Sequence, residues 1–144
     1  MPHTFAAQLG QSIFLVVIAL SAWKGGRTER LAAAFLFVQL IFSSLVNRTD
    51  GFSLEGGVLT ADVTALIVFA ALAFCGQRRW TLWATAFQAL AVLTHVARML
   101  DPSLHQWAYM STAIFWGYAV LCALAVGTAQ VALRARRHAK SEAV

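Results

Sequence analysis

Five apolar stretches separated by short polar connections divide the chain, at residues 5–23, 31–46, 59–75, 80–97 and 108–133. Each comes near the roughly 20 residues that a helix needs to cross a hydrocarbon core about 30 Å thick, the second and third being short. Lipid offers backbone N–H and C=O groups no partner, so every such span is predicted to be helical. The expected fold is therefore all-α, a polytopic integral membrane protein built as a five-helix transmembrane bundle. Connections of about seven, twelve, four and ten residues make successive helices antiparallel. One transmembrane domain over 1–144 follows, ending in a basic tail at 134–144.

Polar positions inside the stretches predict which faces turn inward, because membrane helices meet through small residues and interhelical hydrogen bonds. On the fourth stretch Thr81, Thr85, Gln88, His95 and Arg98 recur at helical spacing with Ala91 at the gap, which draws one polar stripe along the helix. Gln8, Gln11 and Ser12 on the first, Gln39, Ser43 and Asn47 on the second, Asp62 on the third, and Tyr109, Ser111 and Thr112 on the fifth fall toward the same end. The opposite end is read as apolar and closely packed, with Ala119, Ala123 and Gly127 at four-residue steps forming a small-xxx-small seam.

Composition supports a bilayer. Of 144 residues 60% are hydrophobic and 12% charged, and the mean hydropathy is +0.69, too apolar to cover a water-soluble globule of this size. The net charge of +5 does not predict nucleic-acid binding, since the basic residues sit in clusters between the apolar stretches. Lys24, Arg27, Arg30, Arg78, Arg79, Arg134, Arg136, Arg137 and Lys140 share one side, leaving only Arg48 and Arg98 opposite, beside Asp50, Glu55 and Asp101. This places the N-terminus outside and the C-terminus in the cytoplasm. The first ten residues carry no Lys or Arg, so the first stretch is kept as a span and not as a signal peptide. The clean charge asymmetry fits a multi-pass protein of a bacterial inner (cytoplasmic) membrane. Trp23, Trp80 and Trp83 at the inner interface and Trp107 at the outer one are read as belt residues.

Asp62, His95, Arg98, Gln88, Gln8, Gln11, Gln39, Asn47 and Tyr109 form the candidate ligand-binding set, a polar pocket open to the extracytoplasmic side. Ionisable groups inside a membrane point to function, yet each has a plainer explanation. Asp62 follows Thr60 by two residues and could complement a helix N-terminus from its first turn. Arg98 could snorkel or pair with Asp101 three residues on. Cys75 and Cys122 lie in apolar segments near the cytoplasmic side and are not expected to form a disulfide.

No catalytic residue, metal site or cofactor is predicted: the chain has no Ser and His pair, no H-E-x-x-H and no carboxylate pair with metal spacing. The leading expectation is a noncatalytic subunit or assembly factor of a larger membrane complex. The alternative is a small-molecule, quinone or proton-linked binding or transport protein using the outer pocket. A more remote one is a haem protein with His95 and Met110 as axial ligands. Expected partners are the bilayer, anionic lipid at the Arg134 to Lys140 tail, and other membrane subunits or a second copy of the chain.

Overall fold

A computed structural model describes residues 2–46, 54–76 and 78–141, with side chains described over 8–42, 57–76, 78–138 and 140–141. The described residues hold five helices and no strand: α1 (Pro2–Lys24), α2 (Arg27–Val46), α3 (Leu54–Gly76), α4 (Arg79–Leu100) and α5 (Gln106–Ser141). They overlie the five predicted stretches and extend most of them.

The helices close a ring in chain order, each packing on the next and α5 returning to α1, with α2 also touching α5. The α1–α2 connection is far tighter than the seven residues expected. Gly25 donates its N–H to Ser21 O at 3.0 Å, and a Cβ at residue 25 would stand 2.3 Å from that same oxygen. Only glycine fits so close an approach. Arg30 then reaches back and donates from Nε to Gly25 O at 3.1 Å. At the other end of the bundle, Asp101 N–H donates to Ala97 O at 3.0 Å, and Pro102 cannot extend α4.

Ala32, Ala33, Ala65 and Ala84 are buried around Phe69 and Leu124, with Phe35 set edge-on to Phe69 at 6.5 Å between ring centroids. The Ala119–Ala123–Gly127 seam faces inward as expected: a Cβ at residue 127 would lie 2.5 Å from the Trp80 ring. Trp80 itself overturns an expectation. It is 3% exposed and belongs to the core, whereas Trp23, Trp83 and Trp107 are exposed.

Large apolar side chains cover the outside, among them Ile67, Phe74, Leu93, Leu100 and Phe115, while Ser21, Glu29, Thr81, Gln88, His95 and Thr128 are buried. In water this arrangement forgoes the main folding drive and desolvates polar groups as well. Among the described residues, two segments are long and apolar enough to cross a membrane, Gly57–Gly76 and Gln106–His138, and Gln8–Lys24, the part of α1 whose side chains are described, is a further apolar segment. The expectation of five spans is thus met as five helices and only in part as five apolar spans. α2 opens with Arg27, Glu29 and Arg30, and the stripe of α4 includes Gln88, His95 and Arg98, which makes both less apolar than α3.

Candidate functional site

α4 supplies the spine of the site. Its buried positions are Trp80, Thr81, Ala84, Gln88, Ala91 and His95, so Thr81, Gln88 and His95 stand at seven-residue steps on one face, two turns apart. Thr81 and Thr85 spend their hydroxyls on backbone carbonyls, Arg78 O at 2.5 Å and Thr81 O at 2.8 Å. Gln88 and His95 reach across to other helices.

Asp62 of α3 meets both. Gln88 Nε2 donates to Asp62 Oδ1 at 2.9 Å and approaches Asp62 O at 3.3 Å, while His95 Nε2 stands 2.7 Å from Asp62 Oδ2. The other imidazole nitrogen, Nδ1, is 2.7 Å from the Tyr109 hydroxyl in the first turn of α5, and the two rings meet edge-on. Three helices are thereby joined by one chain of hydrogen bonds. His95 is buried and the Asp62 side chain is 19% exposed, so the carboxylate is the open end of the chain and the imidazole its sealed middle. With Asp62 ionised and His95 neutral, Nε2–H donates to the carboxylate and Nδ1 accepts from Tyr109 O–H, leaving none of these atoms without a partner.

Arg98 stands beside the network, against Tyr109. Its guanidinium lies 6.0 Å from the Tyr109 ring centroid, donates to Pro102 O at 3.0 Å and Leu104 O, and approaches Gln106 Oε1 at 3.4 Å. The pairing with Asp101 that the three-residue spacing allows is replaced by these loop contacts. Asp101 instead accepts from the hydroxyl and N–H of Ser103, at 2.5 and 3.0 Å.

These bonds, the hydroxyl contributing most, hold the Asp101 carboxyl below its ordinary range, helped by the field of Arg98. A depressed folded value means that the stabilising contribution is present above the unfolded pKa and is lost as pH falls through the folded one. Ser103→Ala should therefore move the Asp101 titration, followed by carboxyl NMR, up toward the ordinary carboxylate value. An unmoved titration would show that Ser103 does not set it.

The predicted set is brought together in part. Asp62, Gln88, His95 and Tyr109 form the network, with Arg98 beside it. Asp62 is not at a helix start: α3 begins at Leu54, which puts Asp62 in its third turn. Gln8 and Gln11 are exposed and do not join. The inward positions of α1 include Gly10, Ile18 and Ser21; at 100° per residue Gln8 falls about 160° from Gly10, while Gln11, one heptad before Ile18, lies at the edge of the inward face. Gln11 instead borders a separate cleft of about 220 Å³ with Gly10, Leu40 and Tyr118. Gln39 is partly buried with Oε1 taking no hydrogen bond, and Asn47 lies outside the described residues.

A second buried polar group, at the opposite end, has no counterpart in the predicted set. Glu29 is fully buried and accepts from Trp80 Nε1–H at 2.8 Å, and nearby Thr128 donates to Ser21 Oγ at 2.8 Å. The inner end is consequently not simply apolar. Glu29 was hidden because residues 24–30 read as a loop, where an acid among Arg27 and Arg30 is an ordinary solvated charge. The available signal was an acid three residues after a Gly-Gly pair, the place for the first turn of a new helix.

No protein-family model, curated protein or solved structure matches the chain.

Proposed function

We propose that the chain is a small noncatalytic membrane protein that crosses the bilayer five times, N-terminus out and C-terminus in, and works as a proton-linked binding or transport protein. The single observation that carries the second half is the Asp62–His95–Tyr109 chain. The inverted distribution of apolar and polar side chains supports the first half, together with the gathering of basic residues at one end. A bacterial inner membrane suits both.

Proton uptake by the Asp62–His95 pair has a defined structural consequence. With the imidazole holding both protons, Nε2–H still donates to Asp62, but Nδ1–H now donates to the Tyr109 oxygen. Tyr109 ceases to be a donor to His95 and its hydroxyl hydrogen is released to another acceptor. One proton thus reverses a hydrogen bond between α4 and α5. The haem alternative is not carried forward, because both His95 nitrogens already have partners and an axial bond would break one of them.

The imidazole ¹⁵N resonances of His95 in detergent test this directly. Over an acid titration Nδ1 should pass from acceptor to donor reversibly, and Asp62→Asn should remove the Nε2 partner's effect on the resonances. An imidazole that keeps one protonation state across that titration would contradict proton linkage.

A second reading, the noncatalytic subunit or assembly factor, is favoured by Gln8 and Gln11, whose exposed amides on α1 would be satisfied by a neighbouring helix. Copurification of a stoichiometric membrane partner supports it. The exposed Arg134, Arg136, Arg137 and Lys140 extend α5 past the bundle and would attract anionic lipid, at about 1 kcal/mol per basic residue near the surface.

A further inference from the structure

α1 and α5 lie side by side and run in the same direction, since Gly10 meets Tyr118 and Ser21 meets Thr128. Toward the basic end of the bundle they border a groove of about 210 Å³. Val17, Leu20, Ser21 and Lys24 form one wall, and Ala125, Thr128, Ala129 and Ala132 the other. Each set steps by three or four residues and so draws a single line along its helix. The short side chains on α5 leave open the space that longer ones would fill. Inside the groove the Ser21 and Thr128 hydroxyls are buried and hydrogen-bonded to each other at 2.8 Å, so its depth calls for no polar ligand.

Positive charge stands only at one end. Lys24, in the last turn of α1, is exposed, with its ammonium 5.5 Å from the Trp23 ring centroid. Arg136 is also exposed and follows Ala132 by four residues, which puts it on the groove line of α5, whereas Arg134 and Arg137 fall on the other side of the helix. Because the two helices are parallel, both cations belong to the same end. The groove is apolar for about 10 Å, the rise of the seven residues from Val17 to Lys24, and then cationic. An acyl chain that ends in a phosphate is built the same way. A further helix, about 10 Å across with its side chains, is too thick for a space of this volume. A zwitterionic phospholipid would bring its own ammonium to two like charges, and an anionic one would not.

We propose that the groove between α1 and α5 holds one acyl chain of an anionic glycerophospholipid of the cytoplasmic leaflet, with the phosphate between Lys24 and Arg136. This site rests on the bilayer placement proposed above and not on the Asp62–His95–Tyr109 chain. It goes beyond a general attraction of the tail for anionic lipid, because it assigns the phosphate to two particular cations and the chain to one groove.

The test is native mass spectrometry of the full chain in mild detergent, offered phosphatidylglycerol and phosphatidylethanolamine with the same acyl chains. Phosphatidylglycerol should be retained roughly ten-fold better, within what two basic residues near a headgroup supply. Lys24→Gln with Arg136→Gln should bring the ratio near one. Arg134→Gln with Arg137→Gln removes the same charge and should leave the ratio in place. Ala129 is exposed, so Ala129→Leu spares the core while filling the groove, and it should lower retention of both lipids. Equal retention by the wild-type chain would overturn the proposal, as would equal effects of the two double variants or retention untouched by Ala129→Leu. A chain that stays in solution without detergent would overturn the bilayer placement and this site with it, whereas equal retention by a detergent-requiring chain overturns the site alone.

Discussion

Asp62→Ala should destabilise the folded protein by about 3 kcal/mol, because it strips the partner from two buried groups at once. Gln88 Nε2 and His95 Nε2 both end on this carboxylate, and both side chains are buried. Interhelical hydrogen bonds in membranes average only about 0.6 kcal/mol, with maxima near 1.7. The larger value expected here comes from two bonds to one charged acceptor and from the donors left behind. Asp62→Asn keeps the shape and one acceptor, so it should cost clearly less. Asp62→Ala with His95→Phe should cost less than the sum of the single changes, since the orphaned imidazole is removed along with its partner. Unfolding in mixed micelles, followed by circular dichroism, measures all three. A single-variant loss under about 0.5 kcal/mol, the ordinary range of surface changes, would mean that the network does not tie α3 to α4.

Trp80→Phe should cost about 2 kcal/mol for a different reason. The indole N–H is the donor to Glu29, and its loss leaves a fully buried carboxyl with neither oxygen bonded within the protein. The same unfolding measurement applies. Replacing both partners by apolar side chains, Trp80→Phe with Glu29→Leu, should recover part of the loss, as expected when a buried polar pair is removed whole. If the double variant is no more stable than Trp80→Phe alone, Glu29 finds another donor and the hydrogen bond is not a stabilising link between α2 and α4.

The outer network was legible in the sequence to the extent that it repeats. Thr81, Gln88 and His95 recur at helical spacing, so the buried face of α4 could be drawn before any partner was known. Asp62 and Tyr109 were placed at the same depth by the alternation of helix directions, but pairing them with His95 required the actual rotation of α3 and α5. Gln8 and Gln11 show the limit from the other side: α1 buries Gly10, Ile18 and Ser21, Gln8 points away from that face, and Gln11, though one heptad from Ile18, stays exposed beside a cleft. Glu29 was missed and Trp80 misplaced because each residue type is commonest elsewhere, an acid among arginines in solvent and a tryptophan near a chain turn at an interface. Their mutual hydrogen bond joins residues 51 apart in sequence, and no local pattern announces such a pair.

The central claim is that this bundle lies in a bilayer with its Asp62–His95 end outside. Cysteine accessibility measures it most directly. Cys75 and Cys122, both exposed, are replaced by Ala, and single cysteines are placed at Leu104 in the α4–α5 connection or at Ala135 near the end of α5. Intact cells are then treated with a membrane-impermeant maleimide. Leu104→Cys should be labelled on intact cells and Ala135→Cys only after permeabilisation. Labelling of Ala135→Cys alone, labelling of both, or recovery of the unlabelled chain from the aqueous fraction would contradict the claim.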